Sequence, residues 1–179
     1  MKQIRHAWLI ALTALMLSAC SNTELPEGIE PVEGFELPRY LGKWYEIARL
    51  DHSFERGLER VTAEYQMRND GGVRVINRGY NPEEGSWEQA EGKAYFIDSP
   101  DTGRLKVSFF GPFYGGYNIF ELDDNYEYAM VAGPDRSYLW ILARTPTLDD
   151  ELQARLVERA DALGFDTDAL IFPEPAETE

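Results

Sequence analysis

Residues 39–49 read Arg39-Tyr40-Leu41-Gly42-Lys43-Trp44-Tyr45-Glu46-Ile47-Ala48-Arg49. Gly42 has no Cβ, so the backbone turns tightly there, two residues before a tryptophan. From Lys43 onward, side chains on an extended backbone alternate. Trp44, Glu46, Ala48 and Leu50 take one face; Tyr45, Ile47 and Arg49 take the other. An indole turned inward at the start of a first strand plugs the end of a small barrel. Gly-x-Trp alone fits an ordinary core tryptophan equally well, so its meaning rests on the residues C-terminal to it.

Those residues form a succession of strands and short turns. Strands are predicted at 43–50, 60–68, 73–80, 86–97, 104–110, 116–122, 126–132 and 137–145. Asp70-Gly71 between alternating runs is a hairpin signal, and Asn81-Pro82-Glu83-Glu84-Gly85, Asp123-Asp124-Asn125 and Gly133-Pro134-Asp135-Arg136 are turns of the same kind. No helix intervenes. The predicted fold is all-β: an eight-stranded antiparallel up-and-down barrel, whose closure removes the exposed edges. Inward residues are expected at Val61, Ala63, Tyr65, Val75, Asn77, Leu105, Val107, Phe109, Tyr117, Ile119, Tyr126, Tyr128, Met130, Tyr138, Trp140 and Leu142. A slip of one residue exchanges the two faces of a strand.

After the last strand, Pro146-Thr147-Leu148-Asp149-Asp150-Glu151 opens a predicted helix with Thr147 as its N-cap. Leu148, Leu152, Leu156, Val157, Ala160 and Leu163 form one apolar stripe to pack on the barrel, and Gly164 closes the helix. Asp168 to Phe172 is a candidate short strand.

The stretches Gly42 to Arg49, Phe109-Phe110-Gly111-Pro112-Phe113-Tyr114-Gly115-Gly116-Tyr117 and Tyr138-Leu139-Trp140-Ile141-Leu142, closed by Arg144, resemble the lipocalin family, and within it the bacterial outer-membrane lipoprotein branch. The likeness runs from about Leu37 to Phe172. It implies a structural motif of Gly42, Trp44 and Arg144, with the arginine lying across the indole, and a helix outside the barrel. The chain departs from the family in two places. Asn125-Tyr126-Glu127-Tyr128 stands where many members carry Thr-Asp-Tyr, and a single cysteine rules out an internal disulfide.

The 179 residues suit one domain plus a processing segment. Seventeen Lys and Arg against 32 Asp and Glu give a net charge of −15, which argues against nucleic acid and against polybasic contact with anionic lipid. Lys2, Arg5 and the apolar run Ala7–Leu17 make a secretory signal too short to span a bilayer. Leu17-Ser18-Ala19-Cys20 resembles a lipobox. Residues 1–19 are expected to be removed and Cys20 to carry a diacylglyceryl thioether and an N-acyl chain such as palmitate, several chains being needed for firm anchoring. The resemblance to bacterial lipoproteins sorted by the residue after the cysteine implies, for Ser21, the outer membrane of a Gram-negative cell, with the barrel in the periplasm. Residues 20–36, with Pro26, Pro31 and many acids, read as a flexible tether; 37–173 as barrel and helix; 174–179 as a frayed tail.

Turn parity puts the loops 51–59 and 110–116 at the end opposite Trp44. Candidate ligand-binding residues in the barrel and its mouth are Phe54, Leu58, Tyr65, Val75, Asn77, Val107, Phe109, Phe113, Tyr114, Tyr117, Tyr128, Tyr138 and Trp140, with Arg56, Arg60 and Arg136 as head-group candidates. The expected ligand is a fatty acid or lysophospholipid. A lipid-modifying enzyme and a dimeric interaction or structural lipoprotein are the alternatives. Beyond Glu46 and His52 there is little for acid–base work, no metal site or cofactor is expected, and a homodimer is a further candidate partner.

Overall fold

The computed structural model describes residues 22–177, so the expected signal peptide 1–19, Cys20 and the last residues of the tail lie outside the described residues. A helical turn, α1 (Leu37–Tyr40), leads into β1 (Gly42–Arg49). Then come β2 (Glu59–Met67), β3 (Val73–Asn81), β4 (Ser86–Phe96), β5 (Arg104–Ser108), β6 (Gly115–Leu122), β7 (Tyr128–Ala132) and β8 (Leu139–Ala143). Each strand pairs antiparallel with the next, and β1 also pairs with β8, which closes the barrel. Helix α2 (Asp150–Ala162) lies on the outer wall. The N-cap is Asp149, not Thr147: its carboxylate accepts from Leu152 N at 2.9 Å. The predicted last strand is reduced to a single bridge between Ile171 and Arg49.

The floor is built around Trp44, which is fully buried. Its Nε1 donates to the Tyr40 carbonyl at 2.7 Å, and the Arg144 guanidinium lies 4.0 Å over its ring. Arg144 also donates to the carbonyls of Lys43, Arg39 and Leu41 at 2.8–3.0 Å, so one side chain ties the end of the barrel to the segment that enters it. Gly42 has φ +92°, and a Cβ there would lie 3.5 Å from Arg144 Nη1. We expect Arg144→Met to lower stability by about 1–3 kcal/mol, from lost cation–π attraction and charged hydrogen bonds. An unchanged urea midpoint would show that this clamp contributes nothing.

Three expectations fail for identifiable reasons. First, the register of β1 shifts between Glu46, opposite Leu142, and Ala48, opposite Ile141. One extra residue in a strand breaks its alternation. Ile47 and Ala48 both pack under the helix, and Arg49 meets Glu46 instead of sharing a face with Ile47. Second, β7 is apolar on both faces because α2 covers its outside. Ala129 and Val131 join the interior, while Met130 and Tyr128 pack with the outer cluster, opposite to the expected faces. Tyr126 precedes the strand with φ +64°, which breaks the period of two before β7 begins.

Third, residues 22–36 are not a free tether. Asn22 bridges to Gly115, Val32 N donates to the Ile119 carbonyl and Gly103 N to that of Val32, and Glu33 bridges to Thr102. Ile29 and Phe35 are buried. The segment is a strap from the open end, down the outer wall, to the floor. Its few apolar residues are spaced to reach the barrel, and this outweighs the proline- and acid-rich composition. Glu174, the first residue of the expected frayed tail, pairs with Arg60 at 3.0 Å.

Candidate functional site

The interior holds two hollows that share wall residues. A deep chamber of about 80 Å³ lies over the floor, among Phe35, Leu37, Tyr40, Tyr65, Leu105 and Tyr117. Above it a groove of about 630 Å³ opens at the mouth, and Phe54, Glu55, Val61, Asn77, Val107, Phe109 and Trp140 border both. The groove has a structural origin. Strands β4 and β5 pair only from Lys93 to Phe96, so Ser86 to Gly92 have β3 alone as strand partner among the described residues. A Cβ on Gly92 would come within 2.9 Å of the Phe109 ring, so glycine there lets the β5–β6 loop cross close over the wall.

Two polar systems face this space. Near the floor, Tyr40 and Tyr65 hydroxyls each hydrogen-bond the Tyr117 hydroxyl, at 2.8 and 2.7 Å. Burial, above all, raises all three phenols, so they remain neutral. The trio is neutral and internally satisfied, so it presents no stranded charge to the chamber.

The second system sits at the junction of chamber and groove. Arg49 donates from Nη1 to Glu46 Oε1 at 2.6 Å and from Nη2 to the carbonyls of Glu55 and Leu58 at 3.0 and 3.1 Å. Glu55 accepts from Trp140 Nε1 at 3.1 Å and from Asn77 Nδ2 at 3.4 Å, and its Oε2 lies 3.1 Å from His52 Nε2. Phe54 stacks on the His52 ring at 3.9 Å. Glu46, Arg49, His52 and Glu55 are all buried. Burial, then the Glu55 charge, raise the Glu46 carboxyl, and Arg49 offsets this only in part. At Glu55 burial pulls the same way but is outweighed by His52, Trp140 and Arg49, which hold the carboxyl below its usual range.

The Glu46 shift has a testable consequence. Unfolded, the group ionises near 4.5; folded, near about 8. The folded state therefore binds more protons in that window, and stability falls as pH rises through it. We expect the wild-type Tm to drop by the order of 5 °C between about pH 5 and about pH 9. Glu46→Gln, which has no proton to lose, should flatten that slope. Parallel slopes in the two proteins would mean Glu46 ionises normally.

Of the residues expected to meet a ligand, Tyr65, Val75, Asn77, Val107, Phe109, Tyr117 and Trp140 line the deep chamber. Leu58, Phe113, Tyr114 and Tyr138 line the groove, and Phe54 borders both. Tyr128 does not belong with them; the face of β7 that carries it packs on the outer wall beside α2. The three mouth arginines are occupied elsewhere. Arg56 pairs with Asp51 at 2.8 Å, Arg60 with Glu174, and Arg136 donates to the carbonyls of Leu163 and Glu27. A loop carboxylate, a carboxylate of the C-terminal segment, the carbonyl at the end of α2 and a strap carbonyl hold them, and none lines either hollow. Sequence reasoning missed Glu55 and Arg49. Only the bulge in β1 turns Arg49 inward, and nothing in the local pattern marks it.

The Lipocalin-like domain family matches residues 35–175. The chain is 56% identical over 168 residues to "Outer membrane lipoprotein Blc" of Vibrio cholerae serotype O1, covering 93% of this chain and 97% of the relative. It is 56% identical over 162 residues to the protein of the same name from Escherichia coli K12, with coverages of 90% and 92%. The crystal structure of insecticyanin from the tobacco hornworm Manduca sexta shares the fold, with a TM-score of 0.66 at 21% identity and coverages of 87% and 88%. Barrel, floor motif, outer helix and sequence kinship agree: the chain belongs to the lipocalin family.

Proposed function

We propose that this protein is a lipoprotein of the Gram-negative outer membrane, anchored through acylated Cys20, that holds a single-tailed lipid, a fatty acid or lysophospholipid, for storage or transport. The relatives named as outer membrane lipoproteins support the location. The observation that carries the ligand reading is the pair of adjoining hollows with shared walls, apolar through most of their lining and open at the mouth. Its proportions favour one tail. A water occupies roughly 30 Å³, so the deep chamber takes only the tip of a chain, a few methylenes in length. The remainder lies in the groove, with the head group in the open, above Glu55 and Asn77.

Native mass spectrometry of protein expressed in bacteria, followed by lipid extraction, should show a bound lipid. Delipidated protein should take up a fluorescent fatty acid at micromolar concentration. Val107→Trp fills the junction of the two spaces and should weaken uptake by at least about tenfold, or 1.4 kcal/mol, while the far-ultraviolet spectrum stays that of a barrel. Full uptake by a folded V107W protein would move the ligand elsewhere.

We read the protein as a carrier rather than a lipid-modifying enzyme. His52 lies beneath Phe54 and lines neither space, so the one histidine of the barrel has no access to a bound lipid. A ligand recovered unchanged after hours of incubation is the expected result.

A further inference from the structure

The strap changes where the anchor lies. Asn22 N donates to the Tyr114 carbonyl at 3.0 Å, Gly116 N donates to the Asn22 carbonyl at 2.9 Å, and Asn22 itself lines the groove. Cys20 is two residues earlier in the chain, a span of at most about 7 Å. An acyl chain on Cys20 therefore starts at the rim of the open mouth. The loop that receives Asn22 also carries Phe110 and Phe113, which are 78% and 60% exposed, the two most exposed large apolar side chains among the described residues. Phe54, 53% exposed, stands on the same rim. Anchor, apolar loop and cavity opening thus share one end of the barrel, while the floor, with Arg39 bonded to the Asp124 carbonyl, is the opposite and polar end.

We propose that the open mouth docks against a phospholipid bilayer, with Phe110 and Phe113 entering its interface beside Cys20, so that a lipid passes between bilayer and groove without crossing water. This rests on the reading of Cys20 as acylated. An anchor at the rim holds the mouth within a few ångströms of the membrane, whereas a second copy of the chain would need to approach against that restraint. Exposed rings placed at that height leave water for the acyl boundary, as on an interfacial helix. Charge gives no help: the full chain carries −15, and removal of Lys2 and Arg5 with the signal segment makes it −17. Docking is therefore apolar, and adding anionic lipid does not strengthen it.

The full chain, expressed with its anchor, offers a clean test, because acylation leaves it without a free thiol. Phe110→Cys, Phe113→Cys and, at the far end, Asp124→Cys are each spin-labelled and reconstituted in vesicles of phosphatidylcholine and phosphatidylethanolamine. The ratio of accessibility to oxygen over a water-soluble nickel complex is then read. Labels at 110 and 113 should exceed the label at 124 by about tenfold, as expected for a site in the acyl boundary. Values at 110 and 113 equal to that at 124 would overturn the proposal. So would dipolar coupling between labels on two chains with no oxygen preference, which would give the mouth to a second copy. Flotation with the vesicles and the mass at Cys20 report the anchoring separately, and co-purified lipid reports the carrier reading, so failure of either premise is told apart from failure of docking.

Discussion

Replacing Trp44 by alanine is expected to destabilise the barrel by about 3–5 kcal/mol, the range for deleting a large aromatic side chain from a packed core. The indole is fully buried and lies against Tyr40, whose ring centroid is 4.7 Å away. It also supplies the face on which Arg144 rests and the N–H that holds the Tyr40 carbonyl. Its loss opens a void at the narrow end of the barrel, where closed strands cannot collapse inward. A guanidinium is left without its ring and a carbonyl without its donor. Trp44→Phe keeps the plug but not the N–H, and should cost appreciably less. Urea unfolding followed by far-ultraviolet dichroism, which does not depend on the deleted fluorophore, measures both. A loss below about 1 kcal/mol in the alanine variant, close to the worth of one buried CH₂, would mean that the floor does not depend on the indole.

Arg49→Met is the second large effect, also about 3–5 kcal/mol above about pH 8, where Glu46 is ionised and the change leaves its buried charge without a partner. Arg49 and Glu46 side chains are 1% and 3% exposed, so solvent does little to soften the loss. The same guanidinium binds the carbonyls of Glu55 and Leu58 and so fixes the loop that carries Phe54. Fatty-acid affinity should fall along with stability. The double change Arg49→Met with Glu46→Leu replaces the pair by apolar volume and should recover much of the stability, since an apolar substitute for a buried pair is often neutral or better. Simple addition of the two single costs would show that the pair is not coupled. The double variant need not recover ligand affinity, because the loop carbonyls still lack their donor.

The strands were legible because each is short, alternates and ends in turn residues, and the closing of the sheet follows from its regular spacing. Gly42, Trp44 and Arg144 were legible as a resemblance, and the structure gives their contacts: an indole plug, a guanidinium across it and a glycine at positive φ. The faces were legible where one side of a strand meets water, and also on β8, where Trp140 and Leu142 face the cavity as expected although both sides are buried. On β2 and β3 the expected inward set lines the cavity: Val61, Ala63 and Tyr65, then Val75 and Asn77. On β7, Ala129-Met130-Val131-Ala132 is buried on both sides, and a pattern without a polar half carries no direction.

Residue order therefore carries the number of strands, their closure into a barrel, the indole floor, the outer helix and the place of the mouth, because these depend on periods and turns within a few residues. Three features came from long-range packing instead: Arg49 turns inward to Glu46, Glu55 descends from its loop to Trp140 and Asn77, and the strap returns Asn22 to the rim. Each of these joins groups distant along the chain, or depends on a one-residue bulge. Burial then sets the energy: a carboxylate or an apolar strap residue goes where partners exclude water, and no local pattern records where those partners are.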